Sequence, residues 1–251
     1  MIPTAVVSLA TSGQGQRVRM ETAETLLHAI QRHGYCYLRH PSLPPQKLAA
    51  VKSMSKSFFT TLLPKLTEFQ RESLLSDSGF RGYYRYIGAS GRDDAIDCFS
   101  IGRDDLADPS ALRRSYYVSA GWERDEFLPY ISRQNPWEVL AGCDAERTAE
   151  FRRVMVDYYE SCHTASMDIL RHLAVAMGIK PAVSTAIELS DDAVDPEFFT
   201  SCHTKKDHNL EAKFYPRMGT VLRSKPLAAI KGASATNPTG PKLLRRKSAL
   251  A

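Results

Sequence analysis

No apolar run in the 251 residues reaches the roughly 20 residues that a membrane span needs. The first ten residues lack the basic start and long apolar core of a signal peptide, so no leader is expected. Cysteine pairs spaced for metal or redox chemistry are missing too. Cys36, Cys98, Cys143, Cys162 and Cys202 are widely scattered, and an odd number leaves one unpaired in any disulfide scheme. Reduced thiols in a cytoplasmic protein are expected. The glycines between Gly79 and Gly91 do not have phosphate-loop spacing, and no Gly-Lys-Ser/Thr follows them. No Gly-x-Ser-x-Gly elbow occurs either. These absences argue against a nucleotide-binding loop and a hydrolase elbow.

Acidic residues are absent from the last 35 positions, which hold eight Lys and Arg and no aromatic residue. The formal charge of +5 is therefore a property of the tail, and the remainder, with 25 basic against 28 acidic side chains, is mildly acidic. An apolar fraction of 43% with 24% charged residues excludes wholesale disorder in the body. Lys242 to Lys247 could contact nucleic acid or an acidic membrane, but no aromatics are interleaved for base stacking. A solvated, disordered tail over residues 217–251 is the preferred reading.

Hydrophobic periodicity places the elements. Ala5 to Leu9 reads as a strand, and Glu21 to His33 as a helix stopped by Gly34. Tyr35 to Leu38 reads as a buried strand. Pro44-Pro45 opens a second helix, with Leu48, Val51, Met54 and Phe58 at helical spacing and Pro64 ending it. Gly79 to Gly88 and Ala95 to Gly102 read as extended segments, and Asn135-Pro136-Trp137 as a loop. A long helix is expected from an Asp144 cap to Met177, with Phe151, Val154, Met155, Tyr158, Cys162, Ala165, Ile169 and Leu173 on its apolar stripe. Residues 181–196 read as an acidic loop, and Leu210 to Tyr215 as a strand. The strands Ala5 to Leu9, Tyr35 to Leu38 and Leu210 to Tyr215 are expected in one small open sheet beneath the long helix.

His203, Asp207 and His208 are the densest set of potential metal ligands. On a helix His203 and Asp207 would share a face and could chelate iron or zinc. Lys205 and Lys206 between them would repel a cation, so a solvated connector is preferred. His163 and His172 read as a surface and a packed histidine of the long helix.

Taken in order, these segments resemble the non-haem iron, 2-oxoglutarate-dependent oxygenases of the isopenicillin N synthase type. Gly34-Tyr35-Cys36-Tyr37-Leu38-Arg39-His40 is similar to that family's Gly-Phe-Phe-hydrophobic-x-x-His stretch, and Ser57-Phe58-Phe59 to the end of its second helix. Arg81-Gly82-Tyr83, Asp97 to Gly102, Asn135-Pro136-Trp137 and the strand ending in Tyr215-Pro216 match further family segments in the same order.

The resemblance implies a mixed α/β (α+β) fold: a dioxygenase N-terminal domain over residues 4–125, then over 126–216 a long central helix and an incomplete jelly-roll (double-stranded β-helix) sheet. It implies Fe(II) and 2-oxoglutarate as cofactors and a small organic substrate. The family holds its iron with His-x-Asp and a distant His beyond the Tyr-Pro strand. Here no histidine is followed two places later by Asp or Glu, and none occurs after His208. No catalytic or metal residue is therefore assigned, and the cofactors are not expected to bind this chain. Tyr215 matches the position whose hydroxyl contacts 2-oxoglutarate, although the usual Asn two places earlier is Lys213. Without a barrel, Tyr215 reads as a packed strand tyrosine. The expectation is a truncated or degenerate oxygenase without activity. The alternative is a non-catalytic interaction or dimerisation module that self-associates through exposed sheet edges; neither membrane nor nucleic acid is an expected partner.

Overall fold

The computed structural model describes residues 6–9, 20–76, 81–87, 95–104, 134–180, 194–203 and 208–215. Met1–Tyr215 form one compact unit. The tail reading over 217–251 and the acidic loop over 181–193 lie outside the described residues.

The first layer is a small parallel pair packed on a helix. Strand β1 (Val6–Ser8) pairs with β2 (Tyr37–Arg39), Val7 opposite Leu38. Helix α1 (Met20–His33) connects them and buries Ala23, Leu26 and Ala29 at three-residue spacing, one stripe of an amphipathic helix. Gly34 ends it with a positive φ of 74°, its N–H donating to the Ile30 carbonyl. The second strand departs from expectation. All three residues of β2 are exposed, and Tyr37, at 62%, lies on the face opposite Val7, which nothing described covers.

Helix α2 (Pro45–Ser57) begins with proline at its first position, where a missing N–H costs nothing. It does not stop at Pro64. It loosens into a five-residue π turn, Phe58–Leu62, and then tightens into a 3₁₀ turn, Leu63–Lys65. The wide turn carries Phe58, Phe59 and Leu62, all buried. Helix α3 (Glu68–Leu74) was not anticipated. It starts from a reciprocal capping box between Thr67 and Gln70.

A second sheet is antiparallel, in the order β3 (Gly82–Ile87), β4 (Ala95–Ile101), β5 (Leu210–Phe214). The expected single sheet is thus two, and the Leu210 strand pairs with β4, not with the N-terminal strands. Gly82 has φ 99°, and a Cβ there would strike the Leu74 carbonyl, so this strand start admits only glycine. Trp137 is not in a loop: it opens the short helix α4 (Trp137–Ala141).

Helix α5 (Ala145–Ala176) runs for 32 residues from the Asp144 cap, whose carboxylate accepts from the Arg147 N–H. Its first half packs Phe151 and Met155 into the larger core with Phe58, Phe99, Trp137 and Leu140. Phe151 stacks on Phe58 with centroids 4.8 Å apart. Its second half lays Ile169 and Leu173 against the smaller core of Val7, Leu9, Leu26 and Ala29. One helix therefore floors two cores. Along the stripe Tyr159 is buried, while Tyr158 and Cys162, like Ile169 and Leu173, are half-buried. A one-turn helix, α6 (Phe198–Ser201), precedes β5.

Truncating Phe151 removes the ring that joins Phe58, Phe99 and Trp137. Phe151→Ala should lower unfolding free energy by about 3–5 kcal/mol, measured by urea denaturation followed by far-ultraviolet circular dichroism.

Candidate functional site

A buried polar network joins the end of β2 to α5. His40 follows β2, and its Nε2 is 2.9 Å from Asp168 Oδ2 of α5, with both side chains at most 3% exposed. The Ser42 backbone N–H lies 3.2 Å from His40 Nδ1. Ser42 Oγ lies 2.6 Å from the same Nδ1 and donates to the Ser161 carbonyl. The other carboxylate oxygen of Asp168 accepts from Arg171 Nη1 at 3.0 Å. Arg171 Nε continues to Glu197 at 2.7 Å, which holds the guanidinium charge more tightly and pushes the Glu197 carboxyl below its ordinary range. His172 Nδ1–H donates to the Asp168 carbonyl one turn back.

A second clasp joins the two ends of the stretch 105–133. The Asn135 side chain accepts from Gly102 N–H and donates to Gly102 C=O, imitating a strand neighbour. Asp104 accepts from Asn135 Nδ2, Trp137 Nε1 and Arg152 Nε. A Cβ on Gly102 would collide with the Arg81 guanidinium, whose Nη1 donates to Asn209.

The β3–β4–β5 sheet turns Tyr83, Phe99 and Ala212 toward the core. Its other face carries the cross-strand row Tyr84, Cys98, Lys213, with Glu211 beside it. Burial raises the Tyr84 hydroxyl, and hydrogen bonds to Glu211 and Cys98 add to that effect. Burial also raises the Cys98 thiol, so it is not an activated nucleophile. Lys213 Nζ pairs with Glu211 at 3.1 Å on the sheet surface.

The residues singled out in the sequence do not converge. Tyr215 lies just past β5 and is 66% exposed, not packed, because its neighbours on that side are solvent and the Lys213–Glu211 pair. His203 is exposed beyond the end of α6, and Asp207, Lys205 and Lys206 lie outside the described residues. His208 stacks on Tyr159 at 4.0 Å and on His163 at 5.3 Å, so both rings serve a packed aromatic contact. His172 is buried as expected. Among the described residues, no three His, Cys, Asp or Glu side chains gather where they could hold a metal ion. None of their helices is long and apolar enough to cross a membrane, and all five cysteines are free thiols. Sequence reading missed Asp168 and Asp104, since partners 128 and 33 residues away leave no local pattern.

Residues 2–123 match the family model described as the non-haem dioxygenase in morphine synthesis, N-terminal. A 2-oxoglutarate-Fe(II) type oxidoreductase, ppzD, from Metarhizium rileyi is 25% identical over 160 residues, which are 64% of this chain and 41% of that protein. A full-length Neurospora crassa protein solved in complex with alpha-KG shares the fold at TM-score 0.50 and 20% identity, covering 83% of this chain and 54% of that one. The chain thus spans about half the length, or less, of these relatives.

Replacing Asp168 by Ala would leave a buried imidazole N–H and a half-buried guanidinium without their shared acceptor. The expected cost is about 3–5 kcal/mol, typical of removing one member of a buried pair, read from the shift in urea midpoint at pH 7.

Proposed function

We propose, from the premise that residues 2–123 of this chain carry a non-haem dioxygenase N-terminal domain, that the chain supplies the scaffold portion of an Fe(II)- and 2-oxoglutarate-dependent oxygenase and does not turn over by itself. The activity of such an oxygenase is oxidation of a small organic substrate coupled to decarboxylation of 2-oxoglutarate. In this reading α5 is the central helix, and β3, β4 and β5 are the first strands of the jelly-roll sheet. Five free thiols favour a reducing compartment, the cytoplasm.

The observation that carries the proposal is where the histidines are spent. An iron site of this type needs two imidazoles and a carboxylate aimed at one point, with open positions beside them. His40 is committed to Asp168 and Ser42, His172 to a helix carbonyl, and His163 and His208 to each other's rings. The donor set present does not fit Fe(II). Tyr215 and Lys213 alone make no pocket for 2-oxoglutarate, since Tyr215 is exposed and Lys213 is paired. The exposed β1–β2 face, with Val6 at 51% and Tyr37 at 62% exposure, favours a second role as an interaction module.

Anaerobic titration of the full chain with ferrous iron and 2-oxoglutarate tests the main reading. No metal-to-ligand charge-transfer band is expected. A stoichiometric band that survives replacement of His203 would contradict the proposal.

A further inference from the structure

We propose that two copies of this chain associate edge to edge through β5, running antiparallel across a two-fold axis at Ala212. A strand at the rim of a sheet presents a row of backbone donors and acceptors that another strand can pair. The β3–β4–β5 sheet has two such rims. The β3 rim is engaged: Leu75 bridges to Tyr83, and the Ser76 N–H donates to the Tyr83 carbonyl. At the other rim, no strand among the described residues pairs with β5 besides β4. Leu210 and Phe214, packed against the larger core, are left half-buried.

What selects a second copy is the order of residues along the strand. Leu210-Glu211-Ala212-Lys213-Phe214 is complementary to itself when laid against its own copy in the opposite direction. With Ala212 opposite Ala212, Glu211 of each copy faces Lys213 of the other, and Leu210 faces Phe214. A two-fold axis normal to the sheet keeps the two faces matched. The apolar pairs then continue the core face, and the charged pairs continue the face that carries Cys98. The Glu211–Lys213 pair within each strand, at 3.1 Å, becomes half of an alternating set of four charges. Tyr215, 66% exposed, falls opposite Asn209 of the other copy. A shift of two residues either way sets Glu211 against Glu211 or Lys213 against Lys213, and a shift of one turns apolar residues to the charged face. Parallel pairing in register also places like charge on like. Charge therefore selects one direction and one register. Because the contact is isologous and consumes the β5 rim of both copies, it closes at two. It uses neither the β1–β2 face nor iron chemistry, so it stands or falls separately from the readings above.

The test is sedimentation equilibrium of the full chain at low salt over a series of concentrations, with far-ultraviolet circular dichroism showing that each variant is folded. The expected mass rises from that of the 28.0 kDa monomer toward twice that value and no further. Lys213→Glu, at an exposed position, replaces both attractive pairs by repulsive ones and should weaken association about tenfold or more. Lys213→Ala removes the pairs without adding repulsion and should weaken it less, an order that needs no second site. Glu211→Lys should also associate poorly by itself. Mixed in equal amounts with Lys213→Glu, it restores two Glu–Lys pairs, and the mixture should dimerise. A monomer at every concentration would overturn the proposal. So would association that Lys213→Glu leaves unchanged, an effect of Lys213→Ala as large as that of Lys213→Glu, or a mixture of the two folded single variants that stays monomeric.

Discussion

The Asp168 carboxylate is the constraint on which the rest of the body depends. A carboxylate this deeply buried is tolerated only when its oxygens are occupied by well-placed donors. Asp168 meets that requirement with the His40 imidazole on one oxygen and the Arg171 guanidinium on the other. Each donor belongs to a different part of the chain, or leads to one. His40 fixes the turn after β2, and Arg171 reaches Glu197 ahead of α6. The pair sits where α5 passes from the Phe151 core to the Val7 core, so it also sets the helix's rotation toward both.

That arrangement bears on function because it uses up the chemistry an oxygenase would need elsewhere. An imidazole with one nitrogen against a buried carboxylate and the other against the Ser42 backbone N–H and hydroxyl has both nitrogens occupied. The family-like His40 is therefore a fastening of the N-terminal layer to the long helix. The Asp104 clasp plays the corresponding part for the sheet. It ties β4's exit to the entry of α4 through Trp137, Asn135 and Arg152. Each device ties a residue of the matched region 2–123, His40 or Asp104, to residues beyond it.

The sequence made some of this legible and hid the rest for physical reasons. Strong local signals held: the Asp144 cap and the long apolar period gave α5, Gly34 gave the end of α1, and alternation gave β5 to within a residue, while the extended segments Gly79–Gly88 and Ala95–Gly102 contain β3 and β4. Readings that needed tertiary knowledge went astray. Tyr37 is apolar enough to suggest a buried strand, yet it lies on the uncovered face of a two-stranded layer. Phe58 kept helical spacing on paper, but it and Phe59 pack against Phe99, Phe151 and Phe214 from a wider π turn. Tyr159 wins burial over Tyr158 because its hydroxyl finds the His208 carbonyl. The Asp168 network has no signature at all in local spacing, and Tyr215 looked like a packed residue only because a strand was presumed to continue around it.

The account's central claim is that His40, His163, His172 and His208 are engaged in packing and hydrogen bonds within the fold. Long-range nitrogen–proton correlation spectra of the seven imidazole rings test it most directly, recorded before and after stoichiometric addition of a paramagnetic divalent metal. The account predicts that the His40 ring signals are unmoved by the metal, with no pair of rings broadened away together. Selective loss of two or more imidazole signals at one equivalent of metal, with His40 among them, would contradict it.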